Sequence, residues 1–360
     1  MALSSDFRPT FFLGANAGGG FASLYEEILG ADLDTVLLLK GGPGCGKSSF
    51  LRRVASRLEA AGHPAEYIAC SGDPDSLDAA IFPSLGAAVA DATAPHVLEP
   101  TMPGAVERYV DLGAFYDCAA LRGKRAELAP YFAGCRLCFE RTYRLLAAAC
   151  GVRETGRALL FSEDLAGRLR RRAAGVAARE LKKGGGPTGG VKRRFLGAVT
   201  AGGVLCRFDT ARFYCPRLYI LEDTWGLADA FLRPLSAAAT ASGRDVIECP
   251  DPLCPERLAH LLVPALGLGF VSSSPVAPYD ARPYRRIRLD AAPDAAVRRA
   301  YRARLRFSKR LFSSLLDESV EALAQAKAQH DDLEAAYNPH VDFAGVYALA
   351  DETAGMLLAR

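Results

Sequence analysis

The chain has 360 residues, half of them hydrophobic and 24% charged, with a formal net charge of +3. That length accommodates two domains and a sizeable core, and the charge is too small to single out nucleic acid as a partner. Met1 to Asp6 lacks the basic-then-apolar pattern of a signal peptide, and no apolar run reaches the ~18 residues of a membrane span, so the expected setting is cytoplasmic and away from membranes.

In chain order, Phe11 to Gly20 reads as a strand running into a glycine turn, followed by a helix from about Phe21 to Leu29. Val36-Leu37-Leu38-Leu39 is a short apolar run that suits a buried strand. Gly41-Gly42-Pro43-Gly44-Cys45-Gly46-Lys47-Ser48 then matches G-x-x-x-x-G-K-[ST], the phosphate-binding P-loop. Behind it Phe50, Leu51, Val54, Ala55 and Leu58 share one helical face, and Gly62 is a C-terminal stop. The motif therefore lies between a strand and a helix, where its chemistry requires it. Glycines let successive N–H groups turn toward phosphate oxygens, and the helix start adds its positive dipole end. The expected nucleotide-binding set is Gly41 to Ser48 with Ser49. Lys47 is expected on the β- and γ-phosphates and the Ser48 hydroxyl on Mg²⁺.

Ala65 to Cys70 reads as the next strand, leaving through Asp73-Pro74-Asp75-Ser76-Leu77-Asp78. One of Asp73, Asp75 and Asp78 is a candidate for orienting or deprotonating water or a substrate hydroxyl, Asp73 or Asp75 being the base if the reaction is phosphotransfer; the alternative is turn and N-cap chemistry for a following helix. Leu85 to Ala90 is small and apolar and ends at Asp91, the expected second Mg²⁺ group, or else a turn aspartate. His96 follows closely, as a phosphate sensor or a structural histidine. From about Gly104 to Lys183 the pattern is helical and charged, read as an arm, and residues 184–190 are a Gly-rich linker.

After the linker the sequence starts again. Phe12-Leu13-Gly14-Ala15 recurs as Phe195-Leu196-Gly197-Ala198, Phe50-Leu51-Arg52 as Phe231-Leu232-Arg233, and Leu85-Gly86 as Leu266-Gly267, at a steady offset of 181 to 183. This predicts a tandem duplication, residues 1–183 and 191–360, of an α/β unit with a doubly wound, mostly parallel sheet and a helical arm. The second copy has Asp223 to Asp229 in place of the P-loop, with the lysine replaced by Ala228 or Asp229, and Ser272 in place of Asp91. It is expected to be structural or regulatory. Long amphipathic helices close the chain from about Pro293 to Tyr337, with Phe312, Leu315, Leu316, Val320 and Leu323 as a core-packing stripe.

The remaining candidates read as structural. The ten cysteines suit reduced, buried thiols, and Cys135-Arg136-Leu137-Cys138 has no second pair at zinc spacing. Arg170 to Arg172 and Lys192 to Arg194 read as solvated faces, with an arginine finger on the phosphates and a weak nucleic-acid surface as the alternatives; aromatics are not interleaved with them, so nucleic acid is not the expected partner.

Lys40 to Ser48, Cys70 to Asp78, Thr93-Ala94-Pro95-His96-Val97, His330 to Tyr337 and Val341-Asp342-Phe343 together resemble a bacterial family of tandem P-loop proteins described as ATPases or ATP-binding proteins. The resemblance covers most of the chain. It implies ATP and Mg²⁺ as ligands and hydrolysis coupled to a conformational change or a protein partner. Both halves of such proteins can carry a P-loop, whereas here only the first does. The loop wording also resembles nucleotide monophosphate kinases and AAA-type ATPases. Phosphotransfer to a small-molecule acceptor and a non-hydrolysing, nucleotide-gated scaffold therefore stand as alternatives.

Overall fold

The structure, a computed structural model, describes residues 7–30, 33–181 and 187–359. The opening Met1 to Asp6 and linker residues 184–186 lie outside this range. The first half runs β1 (Thr10–Phe11), the hairpin β2 (Gly14–Ala17) and β3 (Gly20–Ser23), α1 (Glu26–Leu29), β4 (Thr35–Lys40), α2 (Lys47–Ala60), β5 (Glu66–Ala69), β6 (Leu77–Phe82), β7 (Ala87–Asp91) and β8 (Glu107–Asp111). Three helices complete it: α3 (Cys118–Gly123), α4 (Arg125–Leu160) and α5 (Glu163–Glu180). The second half repeats the order element for element: β9 (Val191–Arg193), β10 (Gly197–Thr200), β11 (Gly203–Cys206), α6 (Phe208–Tyr214), β12 (Arg217–Glu222), α7 (Asp229–Ala241), β13 (Val246–Pro250), β14 (Leu258–Val263), β15 (Leu268–Ser273) and β16 (Arg285–Arg288). It ends with α8 (Ala295–Ala300), α9 (Arg302–Tyr337) and α10 (Phe343–Leu358).

Both six-stranded sheets have the same order, β1-β5-β6-β7-β4-β8 and β9-β13-β14-β15-β12-β16. They are mixed α/β sheets. Only β6 and β14 run against their neighbours; the other pairings are parallel. The expectation of a mostly parallel sheet overlooked this antiparallel strand. Leu77 to Phe82, apolar except for Asp78, forms a hairpin with β5 where a turn leading into a helix was expected. Two further corrections concern the first half. Gly20 to Ser23 pairs with Gly14 to Ala17, so the helix there is confined to Glu26–Leu29. Glu107 to Asp111, assigned to the arm, is the edge strand beside β4.

Alternation along the strands sorts the core. Val36 and Leu38 of β4 meet Leu218 and Ile220 of β12 in a core shared by the two halves, while Leu37 and Leu39 face α2. The halves join through reciprocal backbone hydrogen bonds, Phe12 N to Phe195 O (2.9 Å) and Phe195 N to Phe12 O (2.8 Å). Burial of matching patches from both copies gives this joint the self-complementary character of a two-fold interface.

The arms are exchanged between the halves. The 36-residue helices α4 and α9 pack along each other in opposite directions, with Cys135 against Ala326 and Arg141 against Glu318. Beyond this pair, α5 lands on α7 of the second half, burying Leu165, Leu169, Ala173 and Val176. In return α10 lands on α2 of the first half, burying Val346, Ala350, Ala354 and Leu357. The stripe with Phe312, Leu316 and Leu323 packs in a core with Leu146 and Ala149, as expected of a core-facing helix. The ten cysteines are free thiols; four are buried, Cys118 is exposed and the rest are half-buried, so the expectation of buried thiols holds for only some.

Candidate functional site

The loop between β4 and α2 adopts its turn because two glycines take the left-handed backbone, Gly44 at φ +68° and Gly46 at φ +83°. A side chain at Gly41 would strike the Cys45 sulfur at 2.5 Å, and one at Gly42 would meet the Tyr116 hydroxyl at 3.0 Å. The Tyr116 hydroxyl donates to Pro43 O (2.7 Å) and holds the loop from outside. Cys45 is buried beneath it, and burial pushes its thiol pKa up, which makes it a packing group rather than a nucleophile.

Lys47 opens α2 and folds back over the loop, donating to the carbonyls of Gly41 (3.0 Å) and Gly42 (2.9 Å). Its ammonium lies 3.9 Å from Asp91 Oδ2 at the end of the adjacent parallel strand β7. The Ser48 hydroxyl accepts from Leu77 N (3.0 Å), tying the helix start to β6; Ser49 is exposed. Lys47, Ser48 and Asp91, predicted from separate stretches, therefore share the carboxyl-terminal edge of the sheet.

Asp91 belongs to a buried polar group. Its Oδ1 accepts from Thr93 N (2.8 Å) and Thr93 Oγ1 (2.5 Å). Asp78, on β6, accepts from the Tyr25 hydroxyl (2.5 Å) and lies 3.4 Å from His96 Nε2. Asp78, Asp91 and His96 are 4%, 6% and 7% exposed, and each offers a ligand atom within 4.8 Å of the others. Burial raises the Asp78 carboxyl pKa, opposed by His96 and the Tyr25 hydroxyl. Burial and then Asp78 raise that of Tyr25. His96 Nδ1 has no partner among the described residues.

Asp73 and Asp75 sit in the β5–β6 turn. Asp73 faces Lys327 of α9 at 3.4 Å, and exposed Asp75 accepts at its carbonyl from Arg52. Arg170 to Arg172 are carried to the second half on α5. Arg194, read as solvated, is instead buried against Glu66 at 2.9 Å.

The second half supplies an internal control. Leu258 N donates to Asp229 Oδ1 (2.9 Å), as Leu77 N does to Ser48, and Leu232 N bonds Ala228 O one turn back. This register places Asp229 at Ser48 and Ala228 at Lys47, so the loop is one residue shorter. The Asp223 carboxylate takes its N–H groups, accepting from Trp225 (3.2 Å), Leu227 (2.9 Å) and Ala228 (2.7 Å). Burial pushes Asp223 up to about 6. At the repeat offset Tyr25, Asp78, Asp91 and His96 become Phe208, Ala259, Ser272 and Ala277. The fold therefore does not require the buried polar group; only the first copy has it.

The exchanged arm also reaches the loop. Glu334 Oε1, near the end of α9, accepts from Gly44 N (3.3 Å). With its amide nitrogen turned inward, Asn338 donates to Gly44 O (3.2 Å) and Glu334 O (3.1 Å). Tyr337 packs on Tyr116, ring centroids 5.4 Å apart, and Phe343 and Val346 of α10 cover Gly46. Tyr25, Tyr116, Glu334 and Asn338 were missed from sequence. Tyr25 was accessible through its loss to Phe208 in the repeat; Glu334 lies in the His330 to Tyr337 stretch already singled out, but nothing in the sequence tied it or Asn338 to a loop some 290 residues away.

No protein-family model matches the chain, and no curated protein or solved structure matches it.

Proposed function

We propose that the first half is a P-loop nucleotide site that binds Mg-ATP and hydrolyses it, and that the second half is a degenerate copy that receives the nucleotide state through the exchanged arms. The observation that carries this reading is Lys47, poised over a glycine loop and 3.9 Å from Asp91.

The residues fit the ligand. Each copy places a carboxylate on its loop amides, Glu334 on one N–H in the first and Asp223 on three in the second, which is the donor chemistry a phosphate oxygen needs. Bound Mg²⁺ would supply charge neutralisation at the β- and γ-oxygens, held by Ser48 and Asp91. The Gly42 to Lys47 backbone would cradle the phosphates, and Lys47 would leave the Gly41 and Gly42 carbonyls to follow the charge developing on the γ-phosphate. Thr93 would hold Asp91 in place through its N–H and hydroxyl, with Asp78 and His96 buried within 4.8 Å of it. Asp73 and Asp75, in the β5–β6 turn whose end Leu77 N ties to Ser48, are the candidates for orienting the attacking water. ADP release by the purified full chain with Mg-ATP, beside Lys47→Ala, tests the proposal. Turnover equal in the two proteins would overturn it.

A further inference from the structure

The second half carries a feature that the nucleotide reading does not use. Residues 280–310 contain eleven Lys and Arg and three Asp, a net +8, whereas the whole chain nets +3, so the remainder nets −5. The counterpart segment of the first copy, residues 102–132, holds four basic and four acidic residues and nets zero. The fold is the same in both copies, so it does not demand the charge.

All eleven cations are exposed. Of these eleven, and among the described residues, only Arg286 and Arg288 meet a carboxylate, and both meet Glu222, at 3.1 and 3.6 Å. Charging an edge strand against aggregation would account for the arginines of β16 alone. It does not account for Arg302, Arg306 and Arg310, which repeat every fourth residue along α9, about 6 Å apart. Two grooves of about 410 and 520 Å³ adjoin, sharing Arg172 of α5 and Arg286, with Arg179, Arg285 and Arg288 on their walls. Exposed aromatics lie among these charges: Tyr284 at 44%, Tyr301 at 41% and Phe307 at 58%.

We infer that this face of the second half, from α5 across β16 to the start of α9, binds single-stranded nucleic acid. Arginine forks suit phosphate oxygens, a basic groove tracks a backbone, and exposed rings offer stacking faces for bases. The small overall charge had argued against such a partner because it averages a basic face with an acidic remainder. The site is independent of the P-loop.

The test is fluorescence anisotropy of the full chain with a labelled oligothymidylate of about 20 nucleotides, titrated across salt. The expected result is binding whose logarithm falls linearly with log salt. Combined Arg302→Glu, Arg306→Glu and Arg310→Glu should weaken it at least tenfold and flatten the salt slope by ~2, because each phosphate that an arginine neutralises on a single strand adds ~0.7 to that slope. Phe307→Ala should weaken binding at high salt while leaving the slope unchanged. Absence of binding at low salt would overturn the inference, as would an unchanged affinity in the triple variant with wild-type circular dichroism. Capture of the chain by phosphatidylserine vesicles with the oligonucleotide left free would overturn it in favour of a membrane.

Discussion

Glu334→Gln isolates the contact between the exchanged arm and the loop. The wild-type carboxylate sits 3.3 Å from Gly44 N, an N–H that a bound phosphate oxygen would use. Two unit negative charges addressing one N–H would lie roughly 4 Å apart, which costs about 4 kcal/mol at an effective dielectric of ~20. The Glu334 side chain is 42% exposed, so solvent and salt reduce this to about 1 kcal/mol. Glutamine keeps an acceptor for Gly44 N and removes the charge. The variant is therefore expected to bind Mg-ATP about fivefold more tightly. Isothermal titration at two salt concentrations reads this, with the gain shrinking at the higher one. An unchanged or weaker affinity at low salt refutes the reasoning and makes Glu334 a neutral or productive part of the site.

Asp91→Asn should lower Mg-dependent turnover by at least about tenfold, because it removes a carboxylate expected to hold the metal; a magnesium titration of ADP release checks it. Burial lowers His260 to about 4, so it stays neutral in the folded protein while the unfolded chain binds its proton near 6.5. Its contribution is thus present above pH 6.5 and is lost as the pH falls toward 4, by about 3 kcal/mol. Denaturant melts of wild type and His260→Gln should converge or diverge by that amount across this window, and a constant difference would contradict it. Because α10 covers the apolar face of α2, residues 1–190 alone should fail to give a cooperative thermal transition, and co-expression with residues 191–360 should restore one.

The strand, glycine loop and helix around Gly41 to Ser48 were legible because the motif carries its own context: an apolar run before it and an amphipathic helix behind it. The duplication was legible because Phe12, Phe50 and Gly86 have counterparts at offsets of 183, 181 and 181. What escaped had competing local signals. Asp73-Pro74-Asp75-Ser76 is turn chemistry that serves a helix N-terminus or a hairpin equally well, and the hairpin prevailed because the apolar run from Leu77 completes the sheet. Charged Glu107 and Arg108 hid β8: on this edge strand Arg108 is exposed, and Glu107 is buried because Thr101 Oγ1 and Met102 N donate to its carboxylate. The exchange of arms was invisible for a different reason: an apolar stripe states that a helix is covered, never by what. Glu334 and Asn338 escaped with it, because only the exchange brings them to the loop. His96 was read as a phosphate sensor or a structural residue, yet its nearest charged neighbour is Asp78 on β6, the strand the sequence reading overlooked.

The most direct test of the account is a count of nucleotide sites: equilibrium binding of Mg-ATP to the full chain and to Lys47→Ala, with ADP release followed in the same preparations. The account predicts one nucleotide per wild-type chain, slow turnover, and loss of both in the variant. Two nucleotides per chain, or one that persists with turnover in Lys47→Ala, would contradict it.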